Sequence, residues 1–198
     1  NIIVTGNPIT EVIYFYKKYI DKSEILNKLK LEEKNFFVLT MHRQENVDNL
    51  KVLRRFVFTF NRIVTKFDKA IVWPIHPRSK KMLKLIKIKL DKRILLVKPL
   101  GFFDFIKLEK NCLMTLTDSG TVQEESSILK KPCLIIRDYT ERPETIKAGG
   151  AQIVGHNTKK IIKAIEFYLK NRINIKTIKD YEKKNVSSFV MKILNSKI

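Results

Sequence analysis

A chain of 198 residues, 44% of them hydrophobic, is long enough to bury one sizeable core. No apolar run approaches the roughly 20 residues that a membrane span needs, and no signal peptide is visible, so the expected compartment is the cytoplasm. Forty basic residues against twenty acidic ones give a net charge of +20. No nucleic-acid partner is expected from it, because no aromatic–basic interleaving or nucleic-acid motif accompanies the lysines.

In chain order, the first residues, Ile2-Ile3-Val4, read as strand. Val4-Thr5-Gly6-Asn7-Pro8 and a helix over 9–19 read as a connector from a preceding domain. The chain opens on Asn1 rather than Met and looks cut from something longer, with residues 1–20 set apart from a domain over 21–198. Apolar, β-branched runs then predict strands at 36–40, 70–73, 94–97, 112–116, 133–136 and 152–154. Helical patterns fall between them at about 50–66, 78–89, 103–109, 122–129 and 158–170, and a last amphipathic stretch covers about 178–194. Cys112 and Cys133 lie inside apolar strand-like runs and suit small buried residues better than a disulfide or metal pair. The densest basic segments, 78–93 and 159–198, space lysines among Ile and Leu at helical intervals, as a solvated helix face does. Such an excess also attracts anionic substrates. Continuous apolar strands alternating with helices predict an α/β fold: a Rossmann-like parallel sheet with helices on both faces and right-handed crossovers.

In such a sheet, ligands bind beyond the carboxyl ends of the strands. Five polar loops fall there. They are Met41-His42-Arg43-Gln44-Glu45-Asn46, Pro74-Ile75-His76-Pro77-Arg78, Pro99-Leu100-Gly101-Phe102, Asp118-Ser119-Gly120-Thr121, and Arg137-Asp138 with Glu141-Arg142-Pro143-Glu144. The turn at 118–121 opens a helix, whose free N–H groups and dipole make a seat for phosphate. An ordinary βα junction, with Thr121 and Glu124 as a capping box, fits the same segment. His42, next to Arg43, Glu45 and Asn46, suits a phosphate donor or general acid. Arg43 and Arg142 offer planar forks to phosphate or carboxylate. Glu125 suits a ribose diol, because a carboxylate accepts two hydroxyl protons; a plain helix-dipole acid is the alternative. Phe102 and Phe105 suit either a base or the core, and His156 reads as part of a surface turn. No His/Cys/carboxylate cluster has metal-ligand spacing, and no GxGxxG is present, so neither a metal nor a dinucleotide cofactor is expected.

Three motifs in this order carry a resemblance: Thr40-Met-His-Arg-Gln-Glu-Asn46, Thr117-Asp-Ser-Gly-Thr-Val-Gln-Glu-Glu125 and Arg137-Asp-Tyr-Thr-Glu-Arg-Pro-Glu144. The chain resembles the non-hydrolysing UDP-N-acetylglucosamine 2-epimerase family from Asn1 to about Gly155. That resemblance implies one half of a two-domain GT-B fold, the C-terminal, nucleotide-binding half. It places His42 in the active-site cleft, with Arg43, Glu45, Asn46 and His76 on the substrate side. It puts Ser119, Gly120 and Thr121 on the diphosphate, Glu125 on the ribose, Leu100 and Phe105 on the uridine side, and Arg142 on the phosphates. His42, Arg43 and His76 are also implied for an allosteric pocket that some members possess. The implied reaction inverts C2 of a UDP-N-acetylhexosamine by elimination and re-addition of UDP, without a cofactor, in the supply of surface-polysaccharide precursors. The implied partners are a first domain carrying the proton-moving carboxylates, in cis or in trans, and a second copy in a homodimer. Two positions depart from the family pattern. Thr121 stands where a second glycine is usual, as in the branch acting on modified sugars, and Tyr181-Glu-Lys-Lys-Asn185 replaces the usual Tyr-Gly-Asp-Gly. A glycosyltransferase of the same architecture and a non-catalytic UDP-binding module are the rival readings.

Overall fold

Strands that are apolar on both faces need helices above and below. The computed structural model, which describes residues 2–196, has that arrangement. Its strands are β1 (Phe36–Thr40), β2 (Ala70–Pro74), β3 (Ile94–Val97), β4 (Thr115–Thr117), β5 (Cys133–Ile135) and β6 (Ala151–Ile153). They pair in parallel in the order β3-β2-β1-β4-β5-β6. The helices are α1 (Pro8–Phe15), α2 (Lys17–Lys22), α3 (Ile25–Lys28), α4 (Gln44–Val47), α5 (Leu50–Phe67), α6 (Pro77–Ile86), α7 (Phe102–Asn111), α8 (Gly120–Ile128), α9 (Pro143–Lys147), α10 (Thr158–Lys170) and α11 (Val186–Asn195).

The two-residue period of β1 divides the core. Phe37 and Leu39 join Ile71 and Trp73 of β2 against Phe56, Phe60 and Ile63 of α5 and Ile161 and Ile165 of α10. Phe36 and Val38 face the other way, onto Ile25 and Leu26 of α3 and Leu108 of α7. Helix α5 forms because its apolar residues recur at helical spacing and because Asn49 caps it, accepting from the N–H groups of Lys51 and Val52. Each fully buried Phe or Leu contributes about 1.5–3 kcal/mol, so these two layers dominate the stability.

The first segment and the tail hold one another. Asn7 N–H donates to the carbonyl of Asp180, and the Thr10 hydroxyl to that of Tyr181. Glu11 accepts from Ser187 N–H at the start of α11. Helix α1 packs on α8 and α11, and α2 on α7.

Several sequence expectations change in detail. Residues 2–4 form no strand, and the helix expected over 9–19 is broken at Tyr16 into α1 and α2. The strand expected at 112–116 starts at Thr115, because Cys112 closes α7. Helix α6 stops before Lys87, which takes a left-handed conformation at φ 51°. The stretch expected over 178–194 divides into a 3-10 turn, Lys179–Tyr181, and α11.

Candidate functional site

The strand order reverses between β1 and β4, and the loops leaving these two strands part to open a crevice at their carboxyl ends. Asp118, fully buried at the end of β4, closes the floor of that crevice. Its carboxylate accepts from the backbone N–H of His42 (3.0 and 3.2 Å, one to each oxygen), from Arg43 N–H (2.9 Å) and from Asn46 Nδ2 (3.0 Å). His42 Nδ1 lies 3.4 Å from the same carboxylate, which leaves Nε2 as the free edge of an exposed ring. A negative group at the start of α4 also suits that helix's dipole. The Thr40 and Thr117 hydroxyls meet at 2.6 Å just below. Sequence reading quoted Asp118 within its motif but gave it no role.

Helix α8 starts on Gly120 from the N-cap Ser119, and no side chain bonds its first N–H groups. The capping box that Thr121 and Glu124 offered as the alternative does not form. Thr121 is already inside the helix, and Glu124 is turned to Arg142. The first turn therefore keeps its donors and its positive dipole end open to an anion. The Arg142 guanidinium stands over this turn, its carbon 3.8 Å from where a Cβ on Gly120 would lie. A chain of contacts holds Arg142 there: its N–H donates to Thr140 Oγ1 (3.0 Å), whose hydroxyl donates to Gln123 of α8.

Two cavities flank the turn. One, of about 300 Å³, brings together His42, His76, Leu100, Phe105, Ser119 and Val122. The other, of about 610 Å³, lies between residues of the 4–12 segment and Thr121, Glu124 and Arg142, with Tyr181 at its end. The first is walled by apolar Leu100 and Phe105 with imidazoles at its rim, and the second by an Arg–Glu pair. The crevice thus offers a flat apolar slot, an anion seat and a charged chamber in succession.

The remaining expected residues divide. His76 lines the cavity, and its Nδ1 also accepts from Arg78 N–H, so it caps α6. Glu45 is exposed and lies 3.5 Å from Nε of Arg137, away from the cavity. Arg43 is half-buried and anchored through its backbone. Asn46 departs from the expectation of a ligand contact. It is fully buried, its amide nitrogen bonding Asp118 and the Ile136 carbonyl and its oxygen facing His156 Nε2 at 2.9 Å. His156 lies in a turn as expected, but it is half-buried, edge-on to Phe56 at 5.3 Å. Glu125, only 6% exposed, lines neither cavity and faces Glu109 of α7 instead. Burial, and then the charge of Glu124, push its carboxyl up to about 7.

Arg137, which sequence reading did not single out, is 2% exposed, paired through both terminal nitrogens with Glu141 and stacked 4.4 Å from the Tyr139 ring centre. Among the described residues no group of three or more His, Cys, Asp or Glu side chains is placed to hold a metal ion, and no helix is long and apolar enough to cross a membrane.

Comparison with known proteins bears on this geometry. A family model described as UDP-N-acetylglucosamine 2-epimerase matches residues 1–195. A protein of that name from Methanocaldococcus jannaschii is 43% identical over 183 residues, which cover 88% of this chain and 50% of that protein. Its namesake in Methanococcus maripaludis is 36% identical over 178 residues, covering 86% and 48%. The crystal structure of the M. jannaschii UDP-GlcNAc 2-epimerase in complex with UDP-GlcNAc and UDP matches with a TM-score of 0.87 at 39% identity, over 98% of this chain and 54% of that one. The chain spans about half the length of the curated relatives it matches. A family 9 glycosyl transferase from Veillonella parvula, 13% identical with a TM-score of 0.52 over 79% of this chain and 52% of that one, shares the fold alone: a Rossmann-like half of the GT-B kind.

Proposed function

The chain belongs to the UDP-N-acetylglucosamine 2-epimerase family, and from that premise we propose that it binds the UDP portion of a UDP-N-acetylhexosamine and serves inversion at C2 of the sugar. One observation carries the reading: the uncapped first turn of α8 at the switch point of the sheet, with Arg142 over Gly120. The diphosphate sits on the amides of Gly120 and Thr121 and the hydroxyl of Ser119, under Arg142, while the Ser119 N–H is held by the Thr117 hydroxyl. The uracil enters the slot between Leu100 and Phe105, and the ribose turns towards Glu125. His42, steadied by Asp118, faces the phosphates or the sugar.

In the reaction, the C1–O bond to UDP breaks as the C2 proton leaves. UDP then adds back after C2 is reprotonated on the opposite face. The part of this half is to stabilise the charge that gathers on departing UDP, with fixed N–H dipoles and a guanidinium. Moving a proton off one face and onto the other needs two positioned groups. The cavity holding His42 offers imidazoles but no facing carboxylate. We assign the missing groups to the other half of the protein, joined in cis or in trans through the crossover segment 1–20. A homodimer, implied by the family resemblance, is part of the same reading and is checked by light scattering of the assembled halves.

Calorimetry with UDP, UMP and uridine tests the phosphate seat. The expected order of affinity is UDP, then UMP, then uridine, and uridine binding as tightly as UDP removes the seat. Solvent deuterium incorporation at C2, followed by NMR, tests the division of labour. The 198 residues alone are expected to give none, and adding a first-half polypeptide is expected to restore it. Robust exchange by the chain alone would place the acid–base pair within this half.

A further inference from the structure

Behind the phosphate turn, α7 and α8 bring two glutamates together. Glu109 is fully buried, and neither of its carboxyl oxygens meets a donor. The hydrogen bond within its reach is with the carboxyl of Glu125, itself only 6% exposed. Two carboxylates cannot donate to one another, so this contact requires a proton on one of them. Among the described residues no cation pairs with Glu109. Arg142 is engaged by Glu124, and Lys131 donates to the carbonyl of Cys112.

We propose that Glu109 holds this proton and donates it to Glu125, fixing the Glu125 carboxylate as acceptor for the cis-diol of a ribose lying along α8. The inference rests on the UDP reading above and adds Glu109 as a positioning residue, one that acts on the ligand through Glu125. The asymmetry of the pair assigns the proton. Burial and then the charge of Glu125 hold Glu109 well above the usual carboxylate range. Glu125, pushed up to about 7 by burial and by Glu124, is drawn back down by its hydrogen bond with Glu109. The other groups around the pair carry no charge. Cys112 and Cys133 are thiols raised by burial, and the Thr115 and Ser126 hydroxyls bond each other at 2.8 Å. Glu125 is therefore mostly neutral below about 7 and ionised above it, while Glu109 stays protonated. An ionised carboxylate is the stronger acceptor for two hydroxyls.

The test compares UDP with 2′,3′-dideoxy-UDP by calorimetry between pH 6 and pH 8. Both carry the same diphosphate, so its titration cancels in the ratio of affinities. That ratio is expected to rise about tenfold as Glu125 goes from mostly protonated to mostly ionised. Glu109→Gln keeps a donor and is expected to keep the rise near the same pH. Glu109→Leu removes the donor and is expected to move the rise to higher pH, with the fold checked by circular dichroism. An unmoved rise in Glu109→Leu overturns the role of Glu109 while leaving the ribose at Glu125. A ratio of one at every pH in the unaltered chain takes the ribose away from Glu125 and overturns both. Infrared spectroscopy without ligand supplies a second arm, independent of UDP and of whether Glu109→Leu folds. A carboxylic-acid band is expected to persist above pH 7 and to vanish in Glu109→Gln, and its absence from the unaltered chain overturns the shared proton.

Discussion

Asp118→Ala is expected to lower the stability of the fold by about 3 kcal/mol or more and to release the His42 loop. The carboxylate is fully buried and is the common acceptor of His42 N–H, Arg43 N–H and Asn46 Nδ2. Alanine leaves the His42 and Arg43 N–H groups without a partner and Asn46 Nδ2 with the Ile136 carbonyl alone, and each buried orphan costs about 1–3 kcal/mol. Water entering from the exposed side of His42 offsets part of the loss, which keeps the figure below the full sum. Asp118→Asn preserves the shape but turns an amide N–H towards one or more of the same donors, so it is expected to recover only part. Urea unfolding at 25 °C reads the stability, and the NMR line widths of the His42 ring read the loop. A loss under about 1 kcal/mol would mean that solvent satisfies these donors and that the joint is looser than its geometry suggests.

Arg142→Ala is expected to weaken UDP by about 2–4 kcal/mol, roughly thirtyfold to a thousandfold. Part of this is the loss of a charge-assisted contact to phosphate. The rest comes from Glu124, whose side chain is only 14% exposed and pairs with the guanidinium in the free protein. Without Arg142, that carboxylate remains beside the diphosphate with its charge uncompensated, and the low-dielectric surroundings strengthen the repulsion. Glu124→Gln in the Arg142→Ala background is accordingly expected to recover part of the affinity, although it touches no phosphate. Calorimetry of the four proteins closes a double-mutant cycle. If Arg142→Ala binds UDP within about 0.5 kcal/mol of the unaltered chain, the guanidinium over Gly120 plays no part in the seat. If Glu124→Gln recovers nothing, the acid does not face the phosphates.

Sequence patterns reveal those parts of the molecule where one periodicity suffices. The run 94–97 and the helix 158–170 coincide with β3 and α10, and α5 extends one residue past its expected end. Helices α3, α4 and α9, of four or five residues, are too short to display a period. The end of α6 carries no glycine signal because Lys87 itself takes the left-handed turn that glycine usually supplies. At 112–114, apolar residues leave α7 and still pack in the core, so they read as strand without pairing as one. The polar strand ends were visible as a set, and the structure gathers His42, His76, Leu100, Phe105 and Ser119 around one cavity. Which of them touch a ligand came from the family resemblance, not from pattern. Asp118, Asn46 and Glu109 stayed hidden for another reason. Their roles depend on β1 lying beside β4 and on α7 lying against α8, and adjacency between distant segments leaves no mark on local spacing.

The reversal of strand order has a consequence for how the chain reaches this state. The strands β1 to β3 are consecutive in the chain, and so are β4 to β6, so each trio zips through neighbouring βαβ contacts. The seam between the trios is different in kind. The contacts that cross it join residues 77 apart at Thr40 and Thr117, 76 apart at His42 and Asp118, and 90 apart at Asn46 and Ile136. Closing loops of that length comes after the local pairings, because their entropy is lost before any contact repays it. The crevice lies on this seam and does not exist in either trio alone. A ligand bound there works as a clasp, adding nothing to the separate trios and all of its binding free energy to their union.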